Sequence, residues 1–186
     1  MLQDIFGLIA IGVLVLANGF FVAAEFSLVS VRRTRVAELV RQGRPGAGTT
    51  QYAVNHLDRF IAATQLGITL ASLGLGWIGE PALAHLLSPI VELFPAAIQS
   101  GVSHSLSAGI AFAIITFLHV VVGELAPKSI ALQNPERASM FVARPTVISE
   151  WIFKPAIWLL NGSGNLLLML VGVKPASGHE LVHSVE

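Results

Sequence analysis

Three long runs of the chain are apolar and carry no charged side chain. They cover residues 5–24, 60–79 and 105–123. Because a helix rises about 1.5 Å per residue, about 20 residues cross the roughly 30 Å hydrocarbon core of a bilayer. The pattern therefore predicts three membrane-spanning helices, at about residues 5–31, 60–79 and 104–123.

Shorter amphipathic segments after the first run predict helices at the membrane surface. Residues 32–42 place Val36, Leu39 and Val40 on one helical face, and the glycines and proline that follow end this helix. Residues 51–60 predict a second polar helix. We therefore expect an all-α membrane protein with juxtamembrane interfacial helices. Its transmembrane domain covers residues 1–173, and residues 174–186 form a linker or tail towards a cytoplasmic domain.

Residues 145–173 allow two interpretations. Trp151 and Trp158 are typical of a membrane interface, and Asn161–Asn165 interrupts the apolar run that begins at Pro155. A fourth span would place the C-terminus outside, whereas two shorter helices would lie along the inner interface. Because of the interruption, we predict two interfacial helices.

Composition indicates lipid as the main solvent of the chain. Of its 186 residues, 54% are hydrophobic and 12% are charged, against about 25% charged residues in soluble domains. The formal net charge of zero gives no support for nucleic-acid binding. The absence of cysteine excludes thiolate metal sites, and no motif of a nucleotide-binding loop or hydrolase is found. We expect no enzymatic activity.

The candidate chemistry begins at the end of the third run, in Gly123–Lys128. Glu124 and Lys128 are four residues apart and would share one helical face. Pro127 predicts that the helix bends or ends there and frees backbone carbonyls. A carboxylate beside free carbonyls suits a small hard cation. Alternatively, Glu124 and Lys128 pair with each other as interfacial anchors.

The second run contains more polar and small residues than a simple membrane anchor needs. Gln65, Thr69 and Ser72 are spaced four and three residues apart, so they share one face. Its glycines predict either close packing or a broken helix. In the third run we expect His119 to be satisfied by a neighbouring hydroxyl, with a proton relay as the lesser alternative.

Small residues in these two runs also indicate contact between copies of the chain. Close approach of helices is favoured by Gly67, Ala71, Gly109 and Ala113. A two-fold homodimer is the commonest symmetric assembly. We therefore predict dimerisation through the second and third spans.

Three stretches together resemble a known family. They are Asn18–Phe21 with Glu25–Ser27, then Ala63–Leu70, then Gly123–Lys128. In this order and spacing they are similar to the transmembrane domain of the CorC family, bacterial relatives of the cyclin-M (CNNM) magnesium transporters. The resemblance implies a homodimer of three-span protomers in the bacterial inner membrane. It also implies Mg2+ export, coupling to Na+, and a cytoplasmic CBS-pair domain that binds nucleotide.

The resemblance also implies a set of site residues. Glu124 would be the acidic ligand, Gly123 would supply a carbonyl, and neutral oxygens would come from Ser27, Thr69 and Ser72. Supporting positions would be Lys128, Gln65, Glu25 and Pro127. The alternative function is a non-transporting dimeric anchor, or a Mg2+ sensor, for a cytoplasmic regulatory domain.

The distribution of arginine predicts the orientation in the membrane. Five arginines lie in residues 32–44, whereas residues 80–104 contain neither lysine nor arginine. By the positive-inside rule, residues 32–44 and the chain from Lys128 onward are cytoplasmic, while the N-terminus and residues 80–104 are outside. Because the chain has no native cysteine, Arg44→Cys and Glu92→Cys test this by labelling with an impermeant thiol reagent. We expect only position 92 to label from outside, and labelling of both positions from one side would contradict the topology.

Overall fold

The computed structural model describes residues 2–91 and 96–172, with side chains placed for residues 5–87 and 105–172. Every regular element in those ranges is helical, which confirms the predicted all-α fold. The α-helices are α1 (Leu2–Ser30), α2 (Arg33–Arg41), α3 (Ala47–Asn55), α4 (Leu57–Gly74), α5 (Glu80–Val91), α6 (Ala96–Val120), α7 (Ala126–Gln133) and α8 (Pro135–Leu170). A first π turn (Leu75–Gly79) joins α4 to α5, and a second π turn (Val121–Leu125) joins α6 to α7.

Three helical segments are long and apolar enough to cross a membrane, as predicted. They are Ile5–Ser30, Leu57–Leu87 and Ser105–Gln133. The second and third extend past their predicted ends because helical backbone continues through Pro81 and Pro127. Each proline is the second residue of the α-helix that follows a π turn, a position where its missing N–H costs little. Of the two outcomes predicted at Pro127, a bend or an end of the helix, the end is wrong.

The first span is the centre of the bundle. Helix α1 packs against α4, α5, α7, α8 and both π turns. Near its middle, Ile11 and Val15 form a buried cluster with Leu75 of the first π turn and Ile115 of α6. This cluster brings all three spans together, because burial of apolar surface offsets the entropy lost in ordering them.

A belt of shorter helices surrounds the C-terminal end of α1. Leu28 and Val31 pack with Val36 of α2 and Phe60 of α4 in a second buried cluster. The predicted helix at residues 32–42 is α2, whereas the polar helix predicted at 51–60 is divided between α3 and α4. Glu136 of α8 accepts a hydrogen bond from Arg35 Nε at 3.0 Å, which ties the belt to α8.

Helix α8 corrects the expectation of two shorter helices in residues 145–173. A single helix runs from Pro135 to Leu170, with Pro145 and Pro155 inside it. Helical backbone continues through Asn161–Asn165, where Ser163 Oγ donates to the Leu159 carbonyl oxygen at 2.9 Å. A glycine in a helix costs only about 1 kcal/mol, too little to break this one. In the described ranges α8 is not among the three apolar spans, so its interfacial position stays a prediction.

The small residues of the second span serve contacts within one protomer. A Cβ at Gly67 would lie 2.6 Å from ring atoms of Phe21, and Ala71 is buried. Both therefore pack inside the protomer, not against another copy. Gly109 and Ala113 of α6 are exposed and remain available to a partner.

We expect Gly67→Ala to destabilise the bundle. The Phe21 ring cannot move freely, since ring centroids of Phe20 and Phe153 lie 5.1 and 6.1 Å from it. Overpacking of this kind costs about 1–3 kcal/mol of unfolding free energy. The matched control is Gly12→Ala on the exposed side of α1, where a Cβ meets nothing within 4 Å. Thermal unfolding in detergent should separate the two variants, and equal midpoints would contradict this packing.

Candidate ion site at the junction of the three spans

A polar cluster in which Asn18 and Gly123 are buried and Ser72 and His119 are half-buried links the three spans near the middle of α1. The Asn18 side chain is 1% exposed, and its Nδ2 donates to the Gly123 carbonyl oxygen at 2.8 Å. Ser72 Oγ of α4 donates to Asn18 Oδ1 at 3.3 Å and lies 3.0 Å from His119 Nε2 of α6. These four residues, Asn18, Ser72, His119 and Gly123, are called the junction below. Each span contributes to it.

Which atom donates between Ser72 and His119 depends on which ring nitrogen of His119 carries the hydrogen. A serine hydroxyl has one proton to donate. If Ser72 donates it to Asn18 Oδ1, His119 Nε2 must carry the hydrogen that it shares with Ser72 Oγ. The expectation that a neighbouring hydroxyl satisfies this histidine is confirmed.

The carbonyl at the junction is free because of Pro127. In an α-helix the carbonyl of Gly123 would accept from the N–H four residues later, and proline has none. The second π turn presents this carbonyl to α1, where Asn18 donates to it. The sequence reasoning about freed carbonyls therefore holds at Gly123, although the helix itself continues.

Two glycines permit the close approach of α1 to the second π turn. A Cβ at Gly123 would lie 3.1 Å from Asn18 Nδ2 and 3.5 Å from the Val15 carbonyl oxygen. A Cβ at Gly19 would lie 3.0 Å from Pro127 Cγ. Any larger side chain at either position would push the helices apart and lengthen the hydrogen bond of Asn18.

Of the five predicted ligands, the protomer brings together Gly123 and Ser72, which both bind Asn18. Ser27 is buried about two and a half helical turns beyond Asn18, roughly 13 Å along the axis. Its Oγ donates to the Ala24 carbonyl oxygen at 3.2 Å. Thr69 is exposed and donates to the carbonyl of Gln65, which is exposed too. Ser27 and Thr69 are therefore outside the junction.

Glu124 follows Gly123 in the second π turn, but its side chain is exposed and does not line the junction. It is exposed at the surface of the protomer, and in residues 5–87 and 105–172 no side chain pairs with it. Lys128 instead places Nζ 4.4 Å from the ring centroid of Phe26 on α1, a cation–π contact. The alternative in which Glu124 and Lys128 pair with each other is therefore wrong within one protomer.

A second polar contact between α1 and α4 lies nearer the arginine-rich end. Thr64 Oγ1 is 3.5 Å from Glu25 Oε2, at the limit of a hydrogen bond. Glu25 is half-buried, and Thr64 is buried. Glu25 lies about 10 Å along the helix axis from Asn18. The predicted supporting residue Glu25 thus lines the seam between the first two spans, at a different depth from the junction.

The central residue of the junction, Asn18, was not among the predicted ligands. It was noted only as part of a sequence motif. A side-chain amide within an uncharged membrane span is costly unless it is hydrogen-bonded inside the protein. That rule alone would have placed Asn18 on the inner face of α1.

The fold and the junction define a helical membrane protein whose three spans meet at buried polar groups. The family described as the cyclin M transmembrane N-terminal domain matches residues 8–186. The chain therefore belongs to this family, and its resemblance to the CorC and CNNM proteins is confirmed.

Individual relatives agree with this assignment. The chain is 46% identical over 185 residues to the UPF0053 protein YhdT of Bacillus subtilis (strain 168), covering 100% of the chain and 40% of that protein. It is 44% identical over 179 residues to YrkA of the same organism, covering 96% of the chain and 41% of YrkA. It is 32% identical over 161 residues to sll0260 of Synechocystis sp. (strain ATCC 27184 / PCC 6803 / Kazusa), covering 87% of the chain and 36% of that protein. The chain thus spans less than half the length of these relatives.

We expect Asn18→Ala to destabilise the fold markedly. It leaves the Gly123 carbonyl and the Ser72–His119 pair without their shared partner, and an unsatisfied buried polar group costs about 1–3 kcal/mol. The control is Asn161→Ala on the exposed surface of α8. Thermal unfolding in detergent measures both variants. If Asn18→Ala lowered the unfolding temperature no more than Asn161→Ala, the junction would not hold the spans together.

Proposed function

We propose that this chain is the membrane domain of a Mg2+ exporter of the bacterial inner membrane, with export coupled to Na+. One observation carries the proposal: the Gly123 carbonyl, whose helical donor Pro127 removes, is adjacent in one π turn to the Glu124 carboxylate, which has no partner in residues 5–87 and 105–172. Both lie at the depth of Asn18 and Ser72. A carboxylate within a span, without a compensating cation, is a functional group by default.

The oxygen atoms at the depth of the junction match the ligand preference of Mg2+. They are Asn18 Oδ1, Ser72 Oγ, the Gly123 carbonyl oxygen and the Glu124 carboxylate. Mg2+ takes six oxygens at about 2.0–2.1 Å and keeps several waters, so these groups with water suffice. In the described ranges no group of three or more His, Cys, Asp or Glu residues forms, so the donors favour Mg2+ over zinc or copper.

The hydrogen bond from Asn18 occupies the Gly123 carbonyl oxygen to which a cation would bind. A cation at the Gly123 carbonyl must replace the amide N–H, and rotation of the Asn18 amide would offer Oδ1 in its place. Ser72 Oγ has two lone pairs, so it could bind the cation with one and still accept the N–H of His119 Nε2 with the other. In this proposal Glu124, Gly123 and Ser72 remain ligands and Asn18 is added, whereas Ser27 and Thr69 join only in another arrangement of the spans.

The proposal includes a homodimer. Glu124 lies in an apolar span and is exposed in one protomer, as are Gln65 and Thr69. Polar groups that face lipid are unfavourable, so a second copy would shield them. The exposed small residues Gly109 and Ala113 support contact along α6.

The regulatory part of the proposal lies outside this chain. The relatives are more than twice as long, so their remaining length can hold further domains. From the family resemblance we propose that a cytoplasmic CBS-pair domain, which binds nucleotide, acts on the membrane domain through the belt of short helices.

A second candidate function is a Mg2+ sensor or an anchor that does not transport. The observation that favours it is the mutual satisfaction of the junction, where no hydrogen-bonding group of Asn18 or Ser72 requires an ion. Both candidates share the fold. They differ in whether Mg2+ crosses the membrane.

We expect Glu124→Gln to abolish Mg2+-dependent thermal stabilisation and Mg2+ flux in proteoliposomes of the full-length protein. The substitution keeps the shape of the side chain and removes the charge that binds the cation. Lys128→Gln is the control, because Lys128 contacts Phe26 and should affect both measurements less.

Two other results would change the assignment. Unchanged Mg2+ affinity in Glu124→Gln would show that Glu124 is not a ligand. If Glu124→Gln loses Mg2+ binding but the wild-type protein transports no Mg2+, the sensor function would be favoured.

A further inference from the structure

A groove on the outer surface of the bundle runs between α1, the third span and α8. Its volume is about 560 Å³. Its walls are apolar and include Leu16 and Phe20 of α1, Val122 and Ile130 of the third span, and Phe141 of α8. The close contact of Gly19 with Pro127 forms part of its floor. A concave apolar surface on a membrane span is shaped to hold a hydrocarbon chain.

One end of the groove is polar and positively charged. Arg137 and Asn134 line it there, beside Glu136, which is engaged by Arg35. Arg137 is exposed, and no acidic side chain pairs with it in residues 5–87 and 105–172. This end of the bundle is therefore the arginine-rich end, which the positive-inside rule places in the cytoplasm.

The groove covers about two thirds of the depth of one leaflet. Its lining on α1 runs from Leu16 to Ala23, about 10 Å along the helix axis. One leaflet contributes about 15 Å to the hydrocarbon core. The charged end therefore lies at the inner interface, and the apolar walls reach towards the middle of the bilayer.

We propose that this groove binds one anionic phospholipid of the inner leaflet. An acyl chain packs against Phe20, Ile130 and Phe141, and the phosphate accepts hydrogen bonds from Arg137 and Asn134. An unpaired guanidinium at the interface attracts anionic headgroups, and its planar fork suits a phosphate.

Charge favours a lipid over a second copy of the chain as the occupant. A two-fold interface places the same surface on both copies, so a dimer centred on the groove would bring two unpaired Arg137 side chains together. A lipid phosphate neutralises the charge instead. The acyl chain would also press on Val122 of the second π turn and on Pro127 at the start of α7.

The test compares phosphatidylglycerol with phosphatidylcholine of the same acyl chains, added to delipidated full-length protein in detergent. Native mass spectrometry counts the retained lipid, and thermal unfolding measures its effect. We expect one phosphatidylglycerol retained per protomer and a larger rise in unfolding temperature than with phosphatidylcholine.

Three variants locate the site. Arg137→Gln should reduce the preference for phosphatidylglycerol about fivefold, the contribution of one basic residue at a membrane surface. Arg33→Gln removes an exposed arginine of α2 outside the groove and should keep the preference. Phe141→Ala truncates a side chain that is 80% exposed, so the fold should tolerate it, and it should lower retention of both lipids.

Three outcomes would overturn the proposal. One is equal retention of both lipids by the wild type. Another is an equal effect of Arg33→Gln and Arg137→Gln, which would indicate diffuse surface charge. The third is loss of a dimer in Phe141→Ala with unchanged lipid retention, which would make the groove an interface between copies.

Discussion

The structure depends on one hydrogen bond, from the Asn18 amide to the carbonyl that Pro127 leaves open at Gly123. In a bilayer neither group can turn to water, and an unpaired polar group there costs several kcal/mol. The bond therefore fixes the register of the first span against the third. Ser72 completes the connection to the second span. Gly19 and Gly123 are needed because any side chain larger than hydrogen would separate the two helices.

The two π turns make this arrangement possible without breaking a span. Each changes the facing of the residues that follow it while the backbone stays helical, and π turns are frequent at functional sites. In the second turn Gly123 faces α1 and Glu124 faces outward. The proposed site is thus divided between a buried neutral half and an exposed acidic half. In our proposal, Mg2+ binds to both halves, and a second copy of the chain shields the acidic half from lipid.

Sequence reasoning predicted the parts of the fold that depend on length and periodicity. The three spans followed from uncharged runs, and the buried face of α2 followed from the spacing of Val36 and Leu39. The π turns have no comparable periodic signal, so the helical path through Pro127 was not predicted. The sequence analysis did not predict the continuity of α8. Clustered glycine and asparagine lower the stability of a helix, but by too little free energy to interrupt it.

The candidate site was only partly predictable for a related reason. The spacing of Thr69 and Ser72 predicts that both lie on the same face of a helix. In the structure only Ser72 contacts Asn18, and Thr69 is exposed. The choice depends on the rotation of α4 about its axis, which packing of Gly67 against Phe21 sets. Glu124 was recognisable as a carboxylate in a span. The exposure of the Glu124 side chain depends on the second π turn, for which the sequence gives no signal.

The most direct test of the proposed ion site is a structure of the full-length protein crystallised with Mn2+ in place of Mg2+. The anomalous signal of the manganese locates the ion independently of the protein density. We expect a peak within ligand distance of the Gly123 carbonyl oxygen and the Glu124 carboxylate, with the Asn18–Gly123 hydrogen bond replaced by coordination. A peak elsewhere, with that hydrogen bond intact, would contradict it.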